Sequence, residues 1–203
     1  MIKPPFPEAG DIDKEITYAA VGYALDCWEG LEVNLCGLYA AYNGLQRAET
    51  VAINGYSNGR IFVDRMSTVA QASSMWSIKN PDQSLESEFS AIQEQVVAAS
   101  AFRNEIAHGC LGVFSESELP VGVRFRVGEA GTTWCLVPPF YNYRKNVFKS
   151  DKYLDFKPCY VYVSGQIRSM GYEFSKLRHE VYETSLKIMD RNQPSPKSRT
   201  LPL

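Results

Sequence analysis

RNEIAHG, residues 103–109, ends a long helical pattern and places an arginine, an asparagine and a histidine close together. Apolar residues before it recur at helical spacing, and glycine commonly follows the end of a helix. We therefore predict a helix from Gln83 or Ser84 to His108, with Gly109 as its C-terminal cap. Arginine can hold a phosphate and histidine can move a proton near neutral pH, so this helix end could act on a phosphodiester.

Arg103 falls on the apolar side of this predicted helix. Ile92, Val96, Ala99 and Ile106 form one stripe, and a rotation of about 100° per residue puts Arg103 in its middle. A buried guanidinium keeps its charge and needs a carboxylate, a phosphate or several carbonyl groups. Two interpretations remain: a closed arginine–glutamate pair that only organises the helices, or a guanidinium that faces a cleft or a subunit interface.

His108 lies on a different side of the helix from Arg103. Asn104 and His108 are one turn apart and share a side, whereas Arg103 and His108 are about 140° apart in an ideal helix. The two can converge only if the arginine side chain wraps round the helix, or if the last turn loosens next to Gly109. The alternative for His108 is a histidine whose positive charge interacts with the C-terminal end of the helix dipole.

The rest of the chain divides into helical segments and a small β-rich region. Long helices are predicted from Asp11 or Asp13 to about Tyr42, where Asn43-Gly44 ends the pattern, and at 60–79, where Asn80-Pro81-Asp82 breaks it. Besides the helix that ends at His108, a last helix is predicted at 164–190. Its core candidates are Ile167, Met170, Phe174, Leu177, Val181, Leu186 and Ile188. Residues 46–59 end in the turn-rich string NGYSNG and are predicted as a loop. Strands are predicted at 121–127 and 132–137, as a hairpin, and at 156–163.

These elements predict a mainly α fold, a bundle of about four helices with a small β-hairpin insertion before the last helix. We expect a single domain over residues 1–190, with the β-containing insertion at 111–163. Proline, serine and basic residues predict a disordered tail at 191–203.

Composition limits the function classes. The chain has 203 residues, of which 45% are hydrophobic and 22% charged, as is ordinary for a globular protein. Its net charge of −2 argues against a broad basic surface for duplex nucleic acid. No stretch approaches the roughly 20 apolar residues of a membrane span, and the N-terminus is too rich in proline for a signal peptide. We expect a cytoplasmic protein with no membrane partner.

The cysteines and histidines do not predict a metal site. The five cysteines form no CxxC pair, and the chain has only two histidines. Free, mostly buried thiols are expected, and we predict neither a metal nor a cofactor.

The motif resembles that of a known family. Arg103-Asn104, three further residues and His108 resemble the arginine–histidine motif of the HEPN superfamily (higher eukaryotes and prokaryotes nucleotide-binding). The string Arg-Asn-x-x-Ala-His-Gly is similar to its commonest prokaryotic form. The resemblance covers about residues 15–110 and 160–190, and the region 111–160 is not part of it.

The resemblance implies a HEPN-like helical domain and roles for particular residues. Arg103 would bind and stabilise the phosphate, His108 would transfer protons and Asn104 would orient one of the two. Members often carry an acidic residue near the site on the first helix, for which Glu32 is the first choice and Glu29 the second. Many members are metal-independent ribonucleases in toxin–antitoxin, abortive-infection and other defence systems, and they usually dimerise with their motifs facing one groove.

Metal-free RNA cleavage also favours a dimer on chemical grounds. It needs a base for the 2′-hydroxyl, an acid for the leaving 5′-oxygen and a cation for the charge on phosphorus. One motif histidine per chain supplies half of this pair, and a two-fold homodimer supplies both. The expected products from single-stranded RNA are a 2′,3′-cyclic phosphate and a 5′-hydroxyl.

Other interpretations remain open. The chain could be a non-catalytic HEPN-like module that binds a nucleotide, a partner protein such as an antitoxin, or a nucleotidyltransferase, and its acidic balance favours this. The intact arginine, asparagine and histidine favour the enzyme. A third possibility is an unrelated helical scaffold with a chance match.

A second stretch, residues 140–153, interleaves basic and aromatic side chains and is a candidate RNA or partner surface. These side chains are Tyr141, Tyr143, Arg144, Lys145, Lys149, Lys152 and Tyr153. The alternative is an ordinary solvated loop.

Overall fold

The computed structural model describes residues 1–115, 132–139, 146–148 and 156–193, and it has a mainly α fold with a small β element. The elements are α1 (Lys14–Tyr42), α2 (Thr50–Ser57), α3 (Phe62–Lys79), α4 (Gln83–His108), β1 (Cys110–Ser115), β2 (Thr132–Val137), β3 (Asn146–Phe148), β4 (Phe156–Pro158) and α5 (Ser164–Asn192). This confirms the predicted fold class.

The chain forms two compact units. The first unit contains Met1–Trp28 and Ala99–Phe174, and the second contains Glu29–Ala98 and Ser175–Leu203. Each unit is therefore built from stretches that are far apart in the sequence. No helix among the described residues is long and apolar enough to cross a membrane.

The end of α1 matches the prediction. Gly44 has a φ of 78°, a conformation that glycine adopts without strain. The Leu45 amide donates to the Ala40 carbonyl and the Gly44 amide to the Ala41 carbonyl, each at 3.0 Å. This pair of bonds is a Schellman motif, which satisfies the last carbonyl groups of the helix.

The loop prediction for residues 46–59 is wrong at α2. Ala52 and Tyr56, one helical turn apart, are both buried. Gly55 lets the backbone of α2 lie close to Tyr39 of α1, because a Cβ atom there would be 2.7 Å from the Tyr39 hydroxyl oxygen. Burial of this face therefore outweighs the low helix propensity of Asn54 and Gly55.

β2 lies where it was predicted, but with a different partner among the described residues. β1 pairs with it antiparallel, from Cys110 opposite Val137 to Ser115 opposite Thr132. The predicted strand at 121–127 lies outside the described residues. No strand is predicted at β1, because its residues CLGVFS do not alternate between polar and apolar side chains.

In the first unit, Asp11 joins several segments. Its carboxylate accepts hydrogen bonds from the Thr17 hydroxyl at 2.6 Å, and from the Ser164 amide at 2.8 Å and hydroxyl at 2.6 Å. Its backbone pairs with Trp134 of β2. A carboxylate at the N-terminus of α5 also interacts favourably with the helix dipole.

Aromatic packing organises the core of the second unit. The Tyr42 ring meets the edges of Trp76 and Phe89 at centroid distances of 5.9 Å and 5.6 Å, and burial raises the pKa of Tyr42 to about 12. Trp76 Nε1 donates to Asn192 Oδ1 at 2.9 Å, and Asn192 Nδ2 donates to the Ala41 carbonyl at 2.7 Å. These bonds explain why α5 continues past its predicted end at residue 190. Residues 194–203 of the predicted tail lie outside the described residues.

One predicted core residue of α5 is exposed. Six of the seven are buried, namely Ile167, Met170, Phe174, Leu177, Val181 and Ile188. Leu186 is exposed, because it lies about 120° around the helix from Phe174.

Candidate functional site

The motif occupies the last turns of α4, which is α-helical through His108. Ala99 and Ile106 are buried, as the periodicity predicted, and Arg103 between them is half-buried. Asn104 and His108 are exposed. The helix end therefore has an apolar side that packs into the first unit and a polar side that faces solvent.

The Arg103 side chain turns towards that polar side. Its Nη1 donates to Asn104 Oδ1 at 3.3 Å, while its Nε is buried. Because α4 stays regular to its end, a loosened last turn does not bring arginine and histidine together. The hydrogen bond instead joins the guanidinium to Asn104, which shares a helix side with His108.

Glu105, inside the motif, holds the helix end in place, a role that was not predicted from the sequence. Its Oε2 accepts a hydrogen bond from the Tyr162 hydroxyl at 2.5 Å, and its main-chain carbonyl accepts one from the Tyr160 hydroxyl at 3.1 Å. The two tyrosine rings stack at 5.0 Å. Burial, and then the Glu105 carboxylate, raise the pKa of both tyrosines, so both remain protonated donors. The Tyr-x-Tyr alternation before α5 was the available sequence signal.

Gly109 has a different role from the predicted one. α4 does end just before it, but Gly109 does not adopt the left-handed conformation of a glycine cap. A Cβ atom there would lie 2.7 Å from Leu136 Cγ and 2.9 Å from the Glu105 carbonyl oxygen. The glycine is therefore suited to the close packing of the helix end on β2.

The Glu105 contact gives a testable expectation. Tyr162→Phe should lower the free energy of unfolding by about 1–3 kcal/mol, because it removes a donor from a half-buried carboxylate. Urea unfolding would measure this. The matched control is Tyr172→Phe, at an exposed tyrosine of α5, which should change stability by less than about 0.5 kcal/mol. Equal unfolding midpoints for the two variants would contradict the role of Glu105.

Glu32, the first choice for an acidic site residue, belongs to the second unit and binds another arginine there. Arg65 contacts both carboxylate oxygens, with Nη2 at 2.6 Å from Oε1 and Nε at 2.9 Å from Oε2. The Tyr56 hydroxyl donates to Oε2 at 2.8 Å. The hydrogen bond to Glu32 raises the pKa of Arg65, while burial and the Glu32 charge raise that of Tyr56. These contacts give Glu32 a structural role within its unit, and its role at the site stays a prediction.

Glu29, the second choice, is exposed and also belongs to the second unit. Arg103, Asn104 and His108 belong to the first unit. Arg103 is hydrogen-bonded to Asn104, and His108 lies one turn beyond Asn104. The site roles of Glu29 and Glu32 stay predictions.

The cysteines are free, as predicted, and three of them are buried: Cys27, Cys36 and Cys135. Burial, with the nearby Asp11 charge, raises the pKa of Cys135 to about 12, so its thiol is a poor nucleophile near neutral pH. Within the described ranges, no three histidine, cysteine, aspartate or glutamate residues are grouped so that they could hold a metal ion.

The candidate surface at 140–153 lies outside the described residues except for the backbone of β3. Comparison of the chain with known protein families, curated proteins and solved structures finds no match.

Proposed function

We propose that this chain is a metal-independent endoribonuclease of the HEPN type that cleaves single-stranded RNA as a homodimer. The observation that carries the proposal is the Arg103–Asn104 hydrogen bond at 3.3 Å, because Asn104 is exposed on the helix side that His108 shares. A phosphate bound at this helix end would meet a cation, an amide and an imidazole within about one and a half helical turns.

The chemistry follows from these groups and a second copy. One His108 removes the proton from the 2′-hydroxyl, whose oxygen attacks phosphorus. The 5′-oxygen leaves and takes a proton from the second His108. Arg103 stabilises the charge that develops on the phosphoryl oxygens. The products are a 2′,3′-cyclic phosphate and a 5′-hydroxyl end, and no metal ion takes part.

Two features of the helix end support this role. Ala101 and Ala107 are exposed next to the motif, and their small side chains would let a second copy approach closely. The bonds from Tyr160 and Tyr162 hold the last turn of α4, and a fixed helix end keeps catalytic groups oriented. A toxin–antitoxin or antiviral defence setting, and an antitoxin or nucleotidyltransferase partner, are suggested by the resemblance alone.

The test is cleavage of end-labelled single-stranded RNA by the purified chain in EDTA. We expect fragments whose 3′ ends resist phosphatase until mild acid opens the cyclic phosphate. Light scattering at micromolar concentration should show a dimer. A chain that leaves RNA intact would disprove the enzyme, and a strict monomer would disprove the two-histidine site.

The net charge of −2 favours the second candidate, a non-catalytic module that binds a nucleotide or a partner protein. This candidate predicts a co-purifying nucleotide or protein and no loss of RNA in the same assay.

A further inference from the structure

The second unit contains an open groove that the proposed cleavage does not use. Its volume is about 410 Å³, within the ~300–1,000 Å³ typical of small-molecule sites. Asn34 of α1 and four residues of α5 line it: Ser175, Arg178, His179 and Tyr182. The α5 residues follow the spacing of one helix face, so their side chains line the groove together. His179 is the histidine that the motif leaves unexplained.

Gly30 makes room for the Arg178 guanidinium. A Cβ atom at Gly30 would lie 2.8 Å from Nη1 and 3.2 Å from Cζ of Arg178, so the guanidinium lies against the bare backbone of α1. Asn34 Nδ2 also donates to the Arg178 carbonyl at 2.9 Å, which ties the two helices together at the groove. The guanidinium thus lies against α1 at one wall of the groove, and a ligand can reach it because Arg178 is exposed.

The positive charge of Arg178 has no acidic partner among the described residues. The ion pairs found there involve other side chains. One turn away on either side in α5 stand Phe174 and Tyr182, neither of which carries a charge at neutral pH. A guanidinium in a groove without a neutralising carboxylate favours an anion, and its planar fork fits a phosphate.

The neighbouring side chains suit the rest of a nucleotide. The Tyr182 side chain is 47% exposed, so its ring can stack on a base, and it stands one turn from Arg178. The Ser175 hydroxyl and the His179 imidazole can both donate and accept hydrogen bonds. We propose that this groove binds a nucleoside phosphate, with the phosphate on Arg178 and the base against Tyr182. This site does not depend on the proposed cleavage.

The test is calorimetric titration of the full chain with each of the four ribonucleoside 5′-monophosphates. A second titration uses a 2′-O-methyl RNA hexamer, which cannot be cleaved through its 2′-oxygen. Arg178→Ala should weaken binding about tenfold or more, because it removes a charge-assisted contact. Arg168→Ala, the same change at an exposed arginine of α5 outside the groove, should leave affinity within about twofold.

A glycine pair supplies a second, independent variant. Gly30→Ala should displace the guanidinium and weaken binding, whereas Gly37→Ala, also in α1, should not, because a Cβ atom there meets nothing within 4 Å. Binding of the monophosphates in this groove should depend on Arg178 and Gly30 and not on His108, which separates the groove from the proposed cleavage site.

Comparison of the two ligand types identifies the source of the nucleotide. Equal affinities would indicate a free nucleotide. A hexamer that binds at least about tenfold tighter, with that gain lost in Arg178→Ala, would indicate that the groove is a subsite for single-stranded RNA. The proposal is overturned if no ligand binds at millimolar concentration. It is also overturned if Arg168→Ala weakens binding as much as Arg178→Ala does.

Discussion

His108→Ala is expected to slow RNA cleavage by about 10²–10⁴-fold, the usual contribution of a general acid or base. Stability should stay within about 0.5 kcal/mol of wild type, because His108 is exposed at the end of α4. Single-turnover cleavage in EDTA and urea unfolding measure the two quantities. The control is Gln95→Ala, at an exposed residue on the opposite side of α4, which should cleave normally.

Arg103→Lys tests whether the site needs the planar shape of the guanidinium or only its positive charge. Lysine keeps the positive charge but lacks the planar fork that holds a phosphate through two hydrogen bonds, so slower cleavage with a folded protein is expected. If His108→Ala and Arg103→Lys both cleave at the wild-type rate, the activity does not come from this motif.

Glu32→Ala is expected to lower the free energy of unfolding by about 3 kcal/mol, the lower end of the range for breaking a buried ion pair. The change leaves the Arg65 guanidinium and the Tyr56 hydroxyl without their shared acceptor. The lower end of the range applies because the pair is not fully buried. The Arg65 side chain is 22% exposed and the Glu32 side chain is 12% exposed. Urea unfolding measures the loss.

Replacement of both Glu32 and Arg65 is the control for the stability lost in Glu32→Ala. Methionine at both Glu32 and Arg65 should recover much of the stability, since an apolar pair of similar volume leaves no buried charge. Asp26→Ala, at an exposed residue of α1, should change stability by less than about 0.5 kcal/mol. A Glu32→Ala variant that unfolds like wild type but cleaves about 10²-fold more slowly would indicate that Glu32 acts in cleavage and does not stabilise the fold.

The long helices could be predicted because periodicity and helix-end residues are local signals. Asn43-Gly44 ended α1 as expected, and Asn80-Pro81-Asp82 separated α3 from α4. α2 could not be predicted, because its stability depends on burying Tyr56, whose hydroxyl binds a carboxylate 24 residues away. A local pattern does not show which distant residue will cover a helix.

The candidate site, too, could be predicted from the sequence only in part. Helix geometry alone placed Asn104 and His108 on one side and Arg103 on another. The direction of the Arg103 side chain depends on rotamers, which spacing does not determine. The bond from Tyr162 to Glu105 spans 57 residues, so only the folded chain could show that Glu105 anchors the helix end.

Asp11 has a consequence for the order in which the chain folds. Its bonds to Ser164 span 153 residues, so they cannot form before the start of α5 has left the ribosome. Contacts of such long sequence separation carry a loop-closure entropy cost and slow folding. The first unit, which includes the end of α4, is therefore completed late in synthesis, and a nascent chain that already contains the motif still lacks the contacts that hold it.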